Sequence, residues 1–146
     1  MAGGGWSDWG DWANMPIGSC GPVRDFKLNT SATLTSAELH QRGNGTRYVT
    51  IDWHVSGCFD YRQQAKLVSC ELSTTIKVSW PGGLNEIVKP VYTDSCLQVG
   101  TDNIDVAPSA SSYTVEVKVH AECWVWYIIW SNIGREDASA SCVIYP

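Results

Sequence analysis

The chain has few charged residues and no basic or apolar run that would assign it to a nucleic acid or a membrane. Charged residues make up 17% of its 146 residues, and the net charge is −5. Nucleic-acid binding needs clustered cations that neutralise phosphates, so the absence of any Lys/Arg run argues against such a partner. No apolar stretch approaches the roughly 20 residues of a membrane span, so we expect no transmembrane segment.

Patterns typical of metal sites and enzymes are missing as well. The three histidines, His40, His54 and His120, are scattered, and no two cysteines are spaced C-x-x-C, which leaves a zinc site without support. There is no G-x-S-x-G, H-E-x-x-H or P-loop motif. The segment Asp102-Asn-Ile-Asp105 lacks the glycine and glutamate of a calcium loop, and we interpret it as a polar loop. We expect no enzyme, no cofactor and no metal ion; a carboxylate pair for glycoside hydrolysis stays open, since nothing singles one out.

Helical periodicity is nearly absent, and alternation of apolar and polar residues dominates instead. From Arg47 to Val55, for example, Val49, Ile51 and Trp53 alternate with polar residues, which is typical of a half-buried strand. Similar patterns predict strands at residues 23–28, 33–41, 47–55, 67–80, 86–92, 112–130 and 138–145. Seven or eight strands separated by turns indicate an all-β chain, an antiparallel β-sandwich or barrel, and we favour the sandwich.

Six cysteines spread widely along the chain predict three disulfides and an oxidising, extracellular location. They are Cys20, Cys58, Cys70, Cys96, Cys123 and Cys142. Tyr48 precedes Cys58 by ten residues just as Tyr113 precedes Cys123, and another cysteine follows each. Of the 15 connectivities that six cysteines allow, this local symmetry favours Cys58–Cys70, Cys123–Cys142 and Cys20–Cys96.

Two N-x-S/T sequons agree with an extracellular location. They are Asn29-Thr-Ser and Asn44-Gly-Thr, and they predict N-linked glycans at Asn29 and Asn44. We therefore expect a secreted glycoprotein. The alternative is a cytosolic protein with six buried thiols.

Three tryptophans at a strict spacing of three, Trp6, Trp9 and Trp12, lie in the segment GGGWSDWGDW. Only an extended, polyproline-II-like segment places all three indoles on one side. We therefore divide the chain into an extended Trp-rich N-terminal segment, residues 1–19, and a single β-sandwich domain, residues 20–146. The indoles then cover a sheet of their own chain, bind a sugar or contact a neighbouring subunit.

The same opening, followed by Cys20-Gly21 and Arg24, resembles the start of a thrombospondin type-1 repeat. The resemblance covers residues 6–24 and implies an extracellular segment whose tryptophans stack against arginines. It also implies C-mannosylation at Trp6 and Trp9.

A second aromatic cluster, Trp124-Val-Trp-Tyr-Ile-Ile-Trp130, has the length of one strand with two apolar faces. Such a strand is typical of the centre of a covered sheet, so we expect core packing. Alternatively, Trp124, Trp126 and Trp130 line an apolar cavity between two sheets. In this respect the chain resembles MD-2-related lipid-recognition domains, β-sandwiches of about this length with one cysteine near each end, as Cys20 and Cys142 are placed.

Three hypotheses of function follow. The first is a secreted, non-enzymatic binding or adhesion module that recognises a glycan or glycoprotein by stacking sugars on exposed tryptophans. The candidate residues are Trp6, Trp9, Trp12 and Trp53. The second is a carrier of an apolar ligand such as a lipid. The third is a structural subunit whose N-terminal segment adds to a neighbour's sheet edge and builds a homo-oligomer or filament.

Overall fold

The computed structural model of the chain describes residues 16–27, 30–57, 67–93, 97–126 and 129–146. This part of the chain contains strands and no helix, so the prediction of an all-β fold is confirmed. The strands are β1 (Pro16–Cys20), β2 (Val23–Lys27), β3 (Thr30–Gln41), β4 (Arg47–Gly57), β5 (Leu67–Trp80), β6 (Gly83–Val88), β7 (Tyr92–Thr93), β8 (Leu97–Val106), β9 (Tyr113–Trp126) and β10 (Trp130–Ile144). The described residues therefore hold no helix long and apolar enough to span a membrane.

The strands form two antiparallel sheets that pack face to face as a β-sandwich. Sheet A has the order β1-β3-β4-β8, with β2 also pairing with β3, and sheet B has the order β10-β9-β5-β6, with β7 also pairing with β5. β1 and β2 pair with residues 37–40 and 30–34 of β3, so they share one edge position. β6 and β7 share an edge beside β5 in the same way. The ten segments occupy eight strand positions, which agrees with the seven or eight strands predicted.

The core lies between the sheets and consists of side chains from alternating positions of each strand. In β4, Val49, Ile51, Trp53 and Val55 are buried, while the residues between them are partly exposed. β9 contributes a similar inward row. Full burial of one such aliphatic side chain stabilises the fold by about 1.5–3 kcal/mol. The period-two pattern of the sequence therefore determines which side of each strand faces the core.

Trp53 lies in this core at 3% exposure, so its predicted role as an exposed ligand-binding residue is wrong. Its ring lies against Gly100 of β8, where an added Cβ would come within 2.7 Å of Trp53 Cζ2. The indole N–H donates a 2.8 Å hydrogen bond to Asp102 Oδ2, and Asp102 forms a 3.0 Å ion pair with Lys89. A buried indole with a satisfied N–H is a packing group. The polar loop predicted at residues 102–105 is wrong too, because these residues belong to β8.

One disulfide, Cys20–Cys142, joins β1 to β10 and so connects the two sheets. The predicted pairs Cys20–Cys96 and Cys123–Cys142 are therefore wrong, because each uses a cysteine that is already bonded. Cys58 and Cys96 lie outside the described residues, and with them the predicted pair Cys58–Cys70. The local symmetry failed because it compared neighbours along the chain, whereas the bond follows strands that are adjacent in space.

The prediction that the apolar segment from Cys123 to Trp130 forms one central strand is wrong. β9 ends at Trp126, and β10 begins at Trp130 and runs back, with these two residues directly opposite each other. The segment has none of the Gly, Pro, Asn or Asp residues that usually mark a hairpin, so its pattern resembles an uninterrupted strand. Trp126 and Trp130 are 37% and 46% exposed, and the prediction of core packing is wrong for both.

Candidate functional site

The outer face of sheet B, which points away from the core, is formed by the outward residues of its strands. In β9 these are the even-numbered residues, because the odd-numbered ones from Tyr113 to Cys123 are buried. In β5 the odd-numbered residues point outward for the same reason. The register of the two strands produces three neighbouring outward pairs: Ser69 and Trp124, Glu71 and Glu122, and Ser73 and His120. Aromatic and ionisable groups therefore meet at one end of this face.

A groove of about 380 Å³, called the aromatic groove below, is lined by Ser69, Glu71, Trp124 and Trp130. The ring centroid of Trp130 lies 5.6 Å from that of Trp126, and the rings are tilted by 53°. The Nε1 atom of Trp124 is buried and has no hydrogen-bond partner among the described residues. The groove thus combines indole surface with a carboxylate and a hydroxyl. These tryptophans lie on the outer face of sheet B and not between the sheets.

A second groove of about 350 Å³, the charged groove, lies on the same face and is lined by residues of β5, β6, β9 and β10. Its walls carry both signs of charge. Lys77 and Glu116 form an ion pair at 3.5 Å, and Lys118 and Asp137 also line the groove. Because the charges are mixed, the groove has no strong preference for an anion or a cation.

His120 lines the charged groove and lies between two carboxylates. Its Nδ1 atom is 2.6 Å from Asp137 Oδ1, and its Nε2 atom is 3.1 Å from Glu122 Oε1. A carboxylate oxygen only accepts hydrogen bonds, so satisfying both contacts requires a proton on each ring nitrogen. These contacts raise the pKa of His120, with Glu122 as the larger cause and Asp137 as the next. Although Asp137 is closer, its side chain is 71% exposed against 26% for Glu122, so water screens it more strongly.

Two like charges, Glu71 and Glu122, stand directly opposite each other on this face. Such a pair destabilises a sheet by roughly 0.2–1 kcal/mol. Glu122 is compensated by His120 and by Arg135, whose Nε lies 3.9 Å from it. A locally unfavourable arrangement of this kind is typical of positions where function selects the side chains. Among the described residues, no group of three or more His, Cys, Asp or Glu is placed to hold a metal ion.

The tryptophan ladder predicted from the sequence is not part of the aromatic groove as its lining is described. Trp6, Trp9 and Trp12 lie outside the described residues, and Asn29 does as well. The aromatic groove is therefore lined by Trp124 and Trp130, which the sequence predicted to be buried in the core. The position of the groove depends on the β9–β10 hairpin, which places Trp130 opposite Trp126.

Asn44 lies exposed in the hairpin between β3 and β4. Its Oδ1 atom accepts hydrogen bonds from the Thr46 N–H at 3.1 Å and from the Thr46 hydroxyl at 2.6 Å. Gly45 between them has a φ of +89°, which glycine adopts without strain. The sequon is therefore folded as an accessible Asx turn.

Sequence reasoning missed the ionisable part of the site, although one signal was available. His120, Glu122 and Trp124 occupy alternate positions of one strand, and this spacing places them on one face. Their partner Asp137 could not be found in this way. Its position depends on the β9–β10 register, which shifts at an irregularity between Asn132 and Gly134.

No protein-family model, curated protein or solved structure matches this chain. Function therefore has to be inferred from the geometry of the chain itself.

Proposed function

We propose that the protein is a secreted, non-enzymatic module that binds a glycan at the aromatic groove on the outer face of sheet B. The observation that carries the proposal is the exposed indole of Trp130, which pairs with Trp126 and lines one groove together with the carboxylate of Glu71. The C–H face of a sugar ring stacks on an aromatic face, and its hydroxyl groups donate to carboxylates. The aromatic groove offers both kinds of group to one ligand.

The exposure and the charge of this face support a neutral sugar. Adjacent large aromatic side chains left in contact with water are typical of binding surfaces. The Ser69 hydroxyl, which also lines the groove, adds a polar group that can bond to a sugar oxygen. The neighbouring charged groove carries both signs, as in the Lys77–Glu116 pair, and so lacks the single-sign field that attracts a strongly charged polymer.

Two observations support an extracellular location. The Cys20–Cys142 disulfide is of the kind that persists in oxidising compartments. The sequon at Asn44 lies in an exposed turn, as N-glycosylation requires. We include N-glycosylation of Asn44 in the proposal.

Replacing Trp130 by alanine tests the proposal. A broad glycan array first identifies the best ligand, and titration by isothermal calorimetry then compares the variants. We expect Trp130→Ala to weaken binding at least tenfold, about 1.4 kcal/mol, because one stacking surface is lost. The matched control is Tyr145→Ala, which removes an aromatic side chain that is 68% exposed beyond the far end of β10. Equal affinities of wild type and Trp130→Ala, or an array without any bound glycan, would overturn the proposal.

Self-association is a second candidate function, favoured by the edge strand β8. Among the described residues, β8 pairs with β4 and no strand pairs with its other edge. Val99 is an exposed apolar residue on it, and such an edge can pair with another chain. We expect light scattering to show a mass that rises with concentration and that Val99→Lys reduces to the monomer. A monomer at every concentration contradicts this candidate.

A further inference from the structure

We propose that Cys70 and Cys123 form a second disulfide, a cross-strand bond that joins β5 to β9 inside sheet B. The two residues lie directly opposite each other in the register of these strands. Their Sγ atoms are 3.0 Å apart, and both side chains are buried on the core side. Directly opposed residues of antiparallel strands have Cα atoms about 4.5–5.5 Å apart, which lies within the range of disulfides. The bond therefore needs only small side-chain rotations.

The chemistry needs an oxidant, and a small disulfide of the glutathione type supplies it. The thiolate of one cysteine attacks this disulfide and forms a mixed disulfide, releasing one small thiol. The thiolate of the second cysteine then displaces the other small thiol and closes the Cys70–Cys123 bond. The two protein sulfurs are oxidised by two electrons, and the reagent is reduced to two thiols. The Cys20–Cys142 disulfide also requires an oxidant, so the proposed bond needs no condition that the known bond does not need.

The folded structure also determines when the bond can form. Burial, together with the adjacent Cys70 thiol, raises the pKa of the Cys123 thiol to about 12. Only the thiolate attacks a disulfide, and a buried sulfur is out of reach of the oxidant. The bond therefore forms during folding, while β5 and β9 are still accessible. Once it has formed, the same burial protects it from reductants.

The bond has a consequence for the aromatic groove. Ser69 and Glu71 flank Cys70, and Trp124 follows Cys123. These three residues point to the outer face and line the groove. A covalent link between the two strands fixes the spacing of the groove walls. This consequence rests on the proposed function, whereas the bond itself does not.

Disulfide mapping tests the bond without reference to any ligand. The wild-type chain is reduced, refolded in a buffer of reduced and oxidised glutathione, alkylated in denaturant and digested without reduction. We expect mass spectrometry to find a peptide that links Cys70 to Cys123 beside one that links Cys20 to Cys142. Alkylation of both Cys70 and Cys123 in this sample would overturn the proposal. A link from either residue to Cys58 or Cys96 would overturn it as well.

The timing is tested by the reactivity of the reduced, folded protein. A Cys58→Ser/Cys96→Ser variant is folded in the presence of a reductant, which is then removed without air. Its reaction with an aromatic disulfide reagent is followed by the mass of the Cys70 and Cys123 peptides. We expect these thiols to react at least about 100-fold more slowly in the folded protein than in guanidinium chloride. Equal rates would overturn the inference that the bond forms during folding.

Discussion

The outer faces of the two sheets are built from similar residues but use them differently. On sheet A the polar side chains bond to one another: Asp52 accepts from Ser36 at 2.8 Å and from Thr101 at 2.6 Å. Thr50 donates to Asn103 at 2.8 Å on the same face. On sheet B the outer face carries two grooves, an exposed indole pair and two opposed carboxylates. The polar side chains of sheet A are joined by hydrogen bonds, whereas sheet B combines ion pairs such as Lys77–Glu116 with an indole pair that stays exposed.

The aromatic residues of the two faces show the same difference. On sheet A, Tyr48 stacks on His40 with centroids 4.9 Å apart, and the Arg42 guanidinium lies 4.4 Å from its ring centroid. On sheet B, Trp126 and Trp130 contact each other and keep much of their surface in water. A ligand on sheet A would have to replace contacts that already exist, at little net gain. On sheet B it meets groups whose contacts are incomplete, which is why we place the site there.

The largest expected effect is the difference in stability between replacing a buried tryptophan and replacing an exposed one. Trp53→Ala should lower the free energy of unfolding by about 3–5 kcal/mol, because it leaves a cavity against Gly100 and removes the donor to Asp102. Trp130→Ala should cost only about 1 kcal/mol, the contribution of its pairing with Trp126. Urea denaturation of both variants measures the difference. Similar losses in the two variants would mean that Trp130 belongs to the core, and the distinction between the faces would fail.

The next largest effect is a difference in stability between two variants that each lose a carboxylate, one on each face. Asp52→Ala should cost about 1–3 kcal/mol, since Ser36 and Thr101 both lose their acceptor. Glu71→Ala should leave stability unchanged or raise it by up to about 1 kcal/mol, because it relieves the repulsion from Glu122. Urea denaturation again provides the comparison. If Glu71→Ala is as destabilising as Asp52→Ala, the carboxylate of Glu71 has a structural role and not the binding role proposed for it.

The sequence predicts the sandwich well because strand periodicity is a local property. The segment from Leu67 to Trp80 was predicted as a strand and is β5. Residues 102–105 were predicted as a loop because they are mostly polar, although they belong to the edge strand β8. One of their carboxylates, that of Asp102, accepts a hydrogen bond from the buried Trp53. The aromatic groove could not be predicted, since it exists only because the chain reverses between Trp126 and Trp130 without turn residues. Pairing across strands is a non-local property. The Cys20–Cys142 disulfide shows this most directly, because its two cysteines are 122 residues apart in the sequence.

The smallest expected effect is a pH dependence of stability that arises from His120 on sheet B. The pKa of His120 should lie above its ordinary value of 6.5, because Glu122 and Asp137 both stabilise the imidazolium. NMR titration of the ring protons measures it. Glu122→Gln should lower the pKa of His120 more than Asp137→Asn does, since Glu122 is the less exposed carboxylate.

The sign of the stability effect follows from the raised pKa. In the unfolded chain His120 takes its ordinary pKa of 6.5, so its charged contacts contribute fully to stability below that pH. The contribution is lost as the pH rises through the higher pKa of the folded state. Urea denaturation across this window should show a small decline in stability that disappears in His120→Gln, because glutamine keeps a polar side chain but does not titrate. A decline of the same size in His120→Gln would assign the pH dependence to another group and remove His120 from the features that distinguish sheet B.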